Sequence, residues 1–491
     1  MASSYKQIAK SSGLIAFVSI FQMVFGLFRN KVIAVLLGTK GFGIYGLYQV
    51  FIETALSFSS LGLDKSGVRQ IAKNSDNLIE RDRCISVFSQ GLLVTSIVTS
   101  ILCVCFSKWI SSVLFNSEDY AIGIVIASLA VLFRSISQGQ ISILNGLRDL
   151  KSLAISQIVA VVVGSLSSVL FVLLLGEEGI VLSFVSFGLT SLLFSYIYVR
   201  KQSIRKTEFN KGEFFAEFKT LLSLGLGFSV SAAVSSLFTF FSRSYIGAHF
   251  DIEVVGVYQA CWIISNLYIG IILSAMGVDF MPRLMKSIED HSIVRRMVNE
   301  QMEFGSLLAG IGVILLVLFA EVLLTLLYSK DFEVGSSIIR WQVLGVSLRV
   351  LGFPLAHSVM AFNKPVWYAT IQCFFAFLEY VLLILFTKYF GFDGLGISYF
   401  IGYIFFMALW IFAAKKLFKF KFSKKLINIL CFNWVSILFA FTLTYYLTGI
   451  TLYVFNVLFL SLYIYIVYYI MEKYMGMSLI EMVRSKIRKR Q

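Results

Sequence analysis

Long apolar stretches recur along the whole chain and are separated by short polar or charged connections. Most stretches hold about 20 or more residues, enough for a helix rising about 1.5 Å per residue to cross a hydrocarbon layer roughly 30 Å thick. The pattern predicts an all-α integral membrane protein of about 14 transmembrane helices. The predicted helices cover residues 12–38, 43–64, 84–109, 119–144, 153–175, 179–199, 220–247, 254–281, 303–328, 335–361, 365–388, 394–415, 426–447 and 450–472.

Basic residues are unevenly distributed among the connections. Those after predicted helices 2, 6 and 12 are rich in Lys and Arg, whereas "NSEDY" after helix 3 and "GEEG" after helix 5 contain neither. Because cytoplasmic loops carry the excess of Lys and Arg, this alternation predicts that both termini are cytoplasmic. Membrane orientation also accounts for the net charge of +15, so we predict no nucleic acid partner.

Composition agrees with the pattern. The 491 residues are 58% hydrophobic and 14% charged, against about 25% charged residues in an average soluble domain. The three histidines and six cysteines are scattered without metal-ligand spacing, and the chain has no Walker loop, dinucleotide loop or nucleophile elbow. We therefore predict no metal, no cofactor and no enzymatic activity.

An internal repeat relates the two halves of the chain. "GTKGFGIYG" precedes predicted helix 2 and "GAHFDIEVVGVYQ" precedes predicted helix 8, at an offset of 213 in the numbering (256 − 43). A duplicated six-helix unit would give both halves the same orientation, because six is even. Glycines and charges recur at offsets of 213 to 215, namely Gly43 with Gly256, Arg29 with Arg243, Arg134 with Arg349 and Asp64 with Asp279.

The repeat predicts a domain organisation in four parts. The N-terminal six-helix lobe covers residues 1–199, and a cytoplasmic linker covers residues 200–219. The C-terminal six-helix lobe covers residues 220–415. Two extra helices and a basic cytoplasmic tail cover residues 416–491.

Charges inside apolar helices normally face a polar interior, because burying one in the bilayer centre costs about 2.5 to 3.5 kcal/mol on insertion scales. Arg29 shares a helix face with Gln22 and Gly26, whereas Lys31 lies about 200° away on a wheel of 100° per residue. We predict that Arg29 faces a cavity and that Lys31 extends toward the outer interface.

Other helices carry polar stripes at the same helical spacing. One stripe lies on predicted helix 2 and another on predicted helix 4, and interhelical hydrogen bonding is the alternative to an aqueous path for both. Two further acids, Glu321 and Glu379, are expected either to pair with an arginine or to take up a proton. The stripes comprise Gln49, Glu53, Ser57, Ser60 and Asp64 on helix 2, and Arg134, Gln138, Ser142 and Asn145 on helix 4.

Three segments carry a family resemblance: "FRNKVIAVLLGTKGFGIYGLYQ", "SLGLDKSGVRQIAK" and "RSISQGQISILNGLRDLKSLAI". With the helix count, they make the chain resemble the polysaccharide biosynthesis transporters of the multidrug/oligosaccharidyl-lipid/polysaccharide exporter (MOP) superfamily, more narrowly the O-antigen (Wzx-type) flippases. The resemblance implies V-shaped lobes that alternate between inward-open and outward-open forms. It implies transport of an undecaprenyl-pyrophosphate-linked oligosaccharide from the cytoplasmic to the periplasmic leaflet of the inner membrane.

The resemblance and the charges together suggest roles for individual residues. The predicted ligands of pyrophosphate or acidic sugars are Arg29, Arg243, Arg134 and Arg349. The predicted polar lining of the cavity is Gln22, Gln49, Glu53, Ser57, Gln259, Trp262 and Asn266. The predicted gating or coupling residues are Asp64, Asp279, Glu53 and Glu379, with H⁺ or Na⁺ as the coupling ion.

Two alternatives within transport stay open at this point. One is a flippase for another lipid-linked precursor, of the peptidoglycan or teichoic type. The other is a multidrug exporter of the same superfamily, which would need an acidic, aromatic cavity for organic cations. A polymerase or ligase acting on the same lipid carrier is disfavoured, because the chain shows no large periplasmic loop.

Overall fold

The computed structural model describes residues 2–205, 210–446 and 449–475, and the regular elements in these ranges are helices. Short 3₁₀ turns at Gly176–Glu178, Lys330–Gly335 and Gly391–Asp393 connect some of them. The α-helices are α1 Ala2–Ser60, α2 Leu63–Lys73, α3 Leu78–Cys105, α4 Ser107–Phe115, α5 Ala121–Gly146, α6 Leu150–Leu175, α7 Gly179–Arg200, α8 Lys211–His249, α9 Ile252–Lys286, α10 His291–Leu318, α11 Ala320–Leu327, α12 Ser336–Ala361, α13 Pro365–Phe390, α14 Gly394–Phe418, α15 Lys424–Tyr446 and α16 Gly449–Met475.

Apolar helical segments dominate the described residues. Ten of them are long and apolar enough to cross a membrane, and a bent pair, Gly212–Leu226 with Ser229–His249, gives an eleventh. Three of the ten are 44, 51 and 54 residues long, about twice the length that one crossing needs. The chain is therefore a multi-pass, all-helical membrane protein, as its hydrophobic pattern predicts.

The prediction of a four-residue connection between residues 38 and 43 is wrong. Helical structure in α1 is interrupted at the single residue Gly38, whose φ of 66° and ψ of −167° lie outside the helical region. Glycine adopts positive φ without the steric cost that a Cβ atom brings, so one residue suffices for the change of direction. We call the parts of α1 before and after Gly38 α1a and α1b.

Capping residues start three helices earlier than apolarity alone predicts. Asn77 accepts hydrogen bonds from the N–H groups of Ile79 and Glu80, so α3 begins at Leu78 and not at residue 84. Asp290 caps α10 in the same way, so that helix begins at His291 and not at residue 303. Asn210 and Glu213 form a capping box that starts α8 at Lys211. Capped first turns are polar and therefore lie outside the apolar stretch.

The backbone repeats the pattern of the sequence. The first and last residues of α5 and α6 recur at an offset of 215 in α12 and α13 (121 to 336, 146 to 361, 150 to 365 and 175 to 390). Gly176 and Gly391 have φ values of 59° and 56° at the same offset. The breaks at Phe106 and Phe319, which separate α3 from α4 and α10 from α11, are related by an offset of 213 (319 − 106).

Helix packing groups the chain into two compact units. The first unit holds residues 1–260, 324–334 and 365–385, and the second holds residues 261–323, 335–364 and 386–491. In the first unit, buried hydroxyls of Ser59, Ser96 and Ser135 join α1b, α3 and α5, with the Ser59 and Ser135 oxygens 2.7 Å apart. In the second unit, α10 and α12 contribute fully buried side chains such as Val313 and Val343.

Within the first unit, α1b and the first turns of α9 cross at two glycines. A Cβ atom added at Gly43 would overlap the carbonyl oxygen of Ile252, and one added at Gly256 would overlap the carbonyl oxygen of Thr39. The two contacts correspond under the repeat, because Thr39 and Ile252 are related by the same offset as the two glycines (252 − 39). The crossing is therefore reciprocal.

Candidate functional site

Arg29 lies where α1a meets two aromatic rings of the first unit. Its guanidinium carbon is 5.0 Å from the ring centroid of Phe187 on α7 and 5.9 Å from that of Tyr45 on α1b. Among the described residues its buried Nε finds no hydrogen-bond partner. Aromatic faces attract the cation without neutralising its charge, so the guanidinium remains available to an anion.

Arg134 and Glu53 form an ion pair near the same tyrosine. The Arg134 Nη2 atom on α5 lies 2.8 Å from Glu53 Oε1 on α1b, and the two side chains are 20% and 49% exposed. Tyr45, which is only 1% exposed, interacts electrostatically with Arg29, Arg134 and Glu53. The first unit therefore brings three predicted site residues together around one buried ring, as two guanidinium groups and one carboxylate.

A polar cavity of about 440 Å³ adjoins this cluster. Arg134 and Phe187 line it, so it shares two side chains with the cationic group around Tyr45. The helices α1a, α2, α5, α6 and α7 supply its walls, and all of its lining residues belong to the first unit. The polar lining residues are Gln22, Asp64, Arg134, Ser137, Gln138, Ser142, Ser156, Gln157, Ser191 and Ser195.

Sequence patterns found only part of this lining. Gln22, Asp64, Gln138 and Ser142 belong to the predicted polar stripes, but Gln157 and the serines of α7 do not. Serine and threonine are weak signals in apolar helices, because their hydroxyls often bond within their own helix. The recurrence of serine at a spacing of four, in Ser191 and Ser195, could have indicated a polar face on α7.

Arg243 and Gln259 lie deeper in the first unit than predicted for residues that line an open cavity. Arg243 is 2% exposed, and its guanidinium carbon is 4.2 Å from the ring centroid of Tyr258. Gln259 is 3% exposed and donates a 3.2 Å hydrogen bond from Nε2 to Gln49 Oε1. Since Tyr258 corresponds to Tyr45, each half of the chain places its arginine over the equivalent tyrosine.

The second unit brings Arg349, Asn266 and Trp262 together. Arg349 Nη1 donates to Asn266 Oδ1 at 2.5 Å, and Asn266 Nδ2 donates to the Trp262 carbonyl oxygen at 2.9 Å. The Trp262 ring meets Tyr399 edge-on, with centroids 5.5 Å apart. Asn266 corresponds to Glu53 at an offset of 213 (266 − 53). The partner of Arg349 and the partner of Arg134 therefore occupy equivalent positions in the repeat.

Other predicted residues have separate surroundings. Ser57 donates to the carbonyl oxygen of Thr54 in its own helix at 2.7 Å. Glu321 pairs with Arg340 at 2.8 Å, which is the ion-pair alternative given for this acid. Glu379 is half-buried on α13, whereas the side chain of Asp279 lies outside the described part of the structure. The roles of both in gating or coupling stay predictions.

Lys31 points away from the arginine cluster, as its position on the helical wheel predicts. Its ammonium group donates to the carbonyl oxygen of Leu326, in the last turn of α11. Carbonyl groups at a helix C-terminus lack partners within the helix and favour a cation. Arg29 and Lys31 thus have different partners although they are two residues apart. Within the described ranges, no group of three His, Cys, Asp or Glu residues has the arrangement of a metal site.

Similarity to solved structures identifies the fold. One similar structure is that of a lipid II flippase, MurJ, in an inward closed conformation. The two structures align over 94% of this chain and 100% of that one, with a TM-score of 0.73 at 15% identity. Another is that of a multidrug resistance transporter of the MATE family, described as a member of the MOP superfamily, in an inward-facing conformation. That alignment covers 82% of this chain and 98% of the transporter, with a TM-score of 0.67 at 15% identity. The chain therefore has the same fold as these two transporters.

Sequence similarity defines the family. The family described as polysaccharide biosynthesis protein matches residues 8–288, which is more than half of the chain, and the protein belongs to that family. The lipid III flippase of Escherichia coli (strain K12) is 24% identical over 360 residues, which are 72% of this chain and 85% of the relative. The resemblance seen in the three sequence segments is confirmed at the level of the polysaccharide biosynthesis family.

Proposed function

We propose that this protein is a flippase that moves an undecaprenyl-pyrophosphate-linked oligosaccharide, an O-antigen unit or similar, across the bacterial inner membrane. Transport runs from the cytoplasmic to the periplasmic leaflet by alternating access, coupled to a gradient of H⁺ or Na⁺. Family membership and the similarity to a lipid III flippase support a lipid-linked cargo.

The cluster around Tyr45 carries the proposal. Arg29 and Arg134 bring two positive charges to a half-buried site, and Glu53 brings one negative charge. A pyrophosphate is a polyanion, and guanidinium groups bind phosphate through charge-assisted, often bidentate hydrogen bonds. An excess of positive charge inside a membrane protein favours such a cargo over the organic cations that a multidrug exporter moves.

The proposal includes an architecture. Fourteen crossings, with both termini cytoplasmic, divide into lobes at residues 1–199 and 220–415, followed by two extra helices. Ten apolar segments support this count, because three of them are long enough to cross twice and the bent pair adds one more crossing. The repeated helix bounds support two halves with one orientation.

Flipping of a fluorescent undecaprenyl-pyrophosphate oligosaccharide in proteoliposomes tests the function. We expect Arg29→Ala to lower transport by about 10- to 100-fold, since a hydrogen bond to a charged group contributes about 1.5 to 3 kcal/mol. Lys31→Ala is the matched control, because that side chain has the same charge but binds the end of α11. Transport that survives Arg29→Ala but not Lys31→Ala, at equal expression, would contradict the proposal.

The same assay separates the alternatives. Peptidoglycan-type and teichoic-type lipid precursors are offered alongside the oligosaccharide, and an organic cation is offered as the multidrug substrate. Preference for the oligosaccharide is the expected result. Transport of the organic cation alone would overturn the proposed function.

A further inference from the structure

The polar cavity beside the arginine cluster contains side chains that no contact within the protein accounts for. Gln22, Asp64, Gln138 and Gln157 line it, and among the described residues none of the four side chains has a hydrogen-bond partner. Gln138 is exposed and the other three are half-buried, so their polar groups are accessible from the cavity. Their common direction into one cavity indicates a ligand or ordered water there.

The chemistry of the walls is that of neutral, multiply hydroxylated ligands. Three primary amides each offer two N–H donors and a carbonyl acceptor, and serine hydroxyls offer both functions. Every sugar hydroxyl also donates and accepts, and a carboxylate such as Asp64 can accept from two neighbouring hydroxyls at once. The ring of Phe187 adds an apolar face to the same wall. The volume of about 440 Å³ lies in the range of small-molecule sites, about 300 to 1,000 Å³.

A coupling cation fits these walls less well. Asp64 and amide oxygens are suitable ligands for a hard cation, but Arg134 lines the same cavity and would repel one. The amide N–H groups would have no function toward a cation.

The position of the cavity relates it to the phosphate site. The Phe187 ring that lines it lies 5.0 Å from the Arg29 guanidinium carbon, and Arg134 contributes to both places. In a lipid-linked oligosaccharide the first sugar is bonded directly to the pyrophosphate. A hydroxyl-binding cavity next to a cationic site therefore matches the order of groups in the cargo.

The cavity also lies at one end of the helix bundle. Ser142 is four residues before the end of α5, Ser156 is six residues after the start of α6, and Ser195 is five residues before the end of α7. These ends adjoin the connections after residues 146 and 200, which the distribution of Lys and Arg predicts to be cytoplasmic. Loading of the cargo would begin on that side.

We propose that this cavity is a carbohydrate subsite, which holds the first sugars of the cargo while the pyrophosphate binds at Arg29. The inference rests on the proposed function, since it names the part of that cargo which the cavity recognises.

The repeat supplies a matched pair of variants. Gln157 on α6 corresponds to Gln372 on α13 at an offset of 215 (372 − 157), but Gln372 donates to the hydroxyl of Tyr368 at 3.1 Å and does not line the cavity. Leucine has a similar volume and suits a membrane helix, so Gln157→Leu and Gln372→Leu each remove one amide with little change in bulk. Gln138→Leu removes a second amide from the cavity.

Transport is measured with two cargoes, undecaprenyl pyrophosphate with and without the oligosaccharide. Gln157→Leu and Gln138→Leu should each weaken the apparent affinity for the glycosylated cargo by about 3- to 10-fold, the range of one neutral hydrogen bond. Affinity for the bare pyrophosphate carrier should stay unchanged, and Gln372→Leu should affect neither cargo. Equal losses for both cargoes, or no loss for either, would overturn the subsite and leave a structural role or a water-filled vestibule.

Two further measurements keep the inference separate from the proposed function. If Gln157→Leu shifts the Na⁺ or H⁺ dependence of transport without changing the preference for sugar, the cavity binds a coupling ion and the subsite is overturned. Thermal unfolding with the free oligosaccharide reports binding directly, because a ligand of the native state raises the melting temperature. Stabilisation of the wild type but not of Gln157→Leu supports the subsite, even if the wild type flips neither cargo and the proposed function fails.

Discussion

Arg134 and Arg349 occupy equivalent positions in the two halves of the chain but meet different partners. Arg134 lies 2.8 Å from the carboxylate of Glu53, whereas Arg349 lies 2.5 Å from the amide oxygen of Asn266. Glu53 and Asn266 are themselves equivalent, so the helix contact is the same and only the chemical group differs. Glu53 brings a negative charge to the first of these two contacts, and Asn266 brings a neutral acceptor to the second.

This difference shows that the repeat fixes geometry more strictly than charge. Helix bounds, positive-φ glycines and the arginine-over-tyrosine contacts recur in register. Neighbouring polar positions do not, since Gln49 corresponds to Trp262 and Gly46 to Gln259. The two halves therefore share a backbone but differ in the polar side chains that line it.

The largest expected effect tests the shared backbone at the crossing of α1b and α9. Gly43→Ala and Gly256→Ala should each destabilise the protein by about 1 to 3 kcal/mol, because the new methyl group must push a carbonyl oxygen aside. Gly26→Ala and Gly270→Ala are matched controls, since a Cβ atom there would meet nothing within 4 Å. Thermal unfolding in detergent gives the comparison. A large effect at only one of the two crossing glycines would break the equivalence of the halves.

A double-mutant cycle on each arginine tests the difference in partners. We expect a coupling free energy of about 1 to 2 kcal/mol between Arg134 and Glu53, since both are charged but partly exposed. Between Arg349 and Asn266 we expect a coupling free energy of the same order, because the donor is a charged guanidinium, but 0.5 M salt should leave it unchanged because the acceptor is neutral. The variants are Arg134→Met with Glu53→Gln, and Arg349→Met with Asn266→Leu, and unfolding in detergent is the readout. A coupling free energy between Arg134 and Glu53 that 0.5 M salt leaves unchanged would contradict the difference between the two partners.

The smallest effect concerns the helix caps Asn77 and Asp290, which are equivalent at an offset of 213 (290 − 77). Hydrogen bonds from the Ser292 hydroxyl and from the backbone N–H groups of Ser292 and Ile293 lower the pKa of Asp290 below its usual range. A group whose pKa is lowered by folding stabilises the native state above its unfolded pKa, and that contribution is lost as the pH falls through the folded value. Acidification below about pH 4 should therefore weaken the cap of α10, whereas the neutral amide at Asn77 should be insensitive.

Hydrogen exchange at the first turns of α3 and α10 between pH 3 and pH 6 measures this, with rates corrected for their intrinsic pH dependence. Asp290→Asn should remove the difference between the two helices. If the difference persists in that variant, the acid sensitivity has another origin.

Hydrophobic periodicity predicted the long helices of the fold well. The predicted spans 153–175, 335–361 and 365–388 lie within three residues of α6, α12 and α13 at both ends. Capped starts such as Leu78 and His291 were missed because hydrogen bonds to polar side chains, and not apolarity, place them. The one-residue break at Gly38 depends on backbone dihedral angles, which a hydropathy pattern does not contain.

The candidate site was predicted in part. Repetition at similar offsets, 214 and 215, identified the four arginines, because such offsets can be read from the sequence. Gln157 was missed because the sequence does not show which way a polar side chain on an apolar helix points. Helix packing decides whether it faces a cavity or a neighbouring helix. The partner of Lys31 was also beyond prediction, since Leu326 offers a backbone carbonyl group, which any residue type would supply.

The reciprocal glycine crossing shows how a duplicated contact can persist while the side chains around it differ. Thr39 and Ile252 meet the opposing glycines chiefly through their carbonyl groups, so their side chains have been free to differ. Only Gly43 and Gly256, where any side chain would collide with backbone, must remain the same residue. A contact made by main-chain atoms constrains the identity of only two residues. The surrounding side chains can differ while the helices cross in the same way.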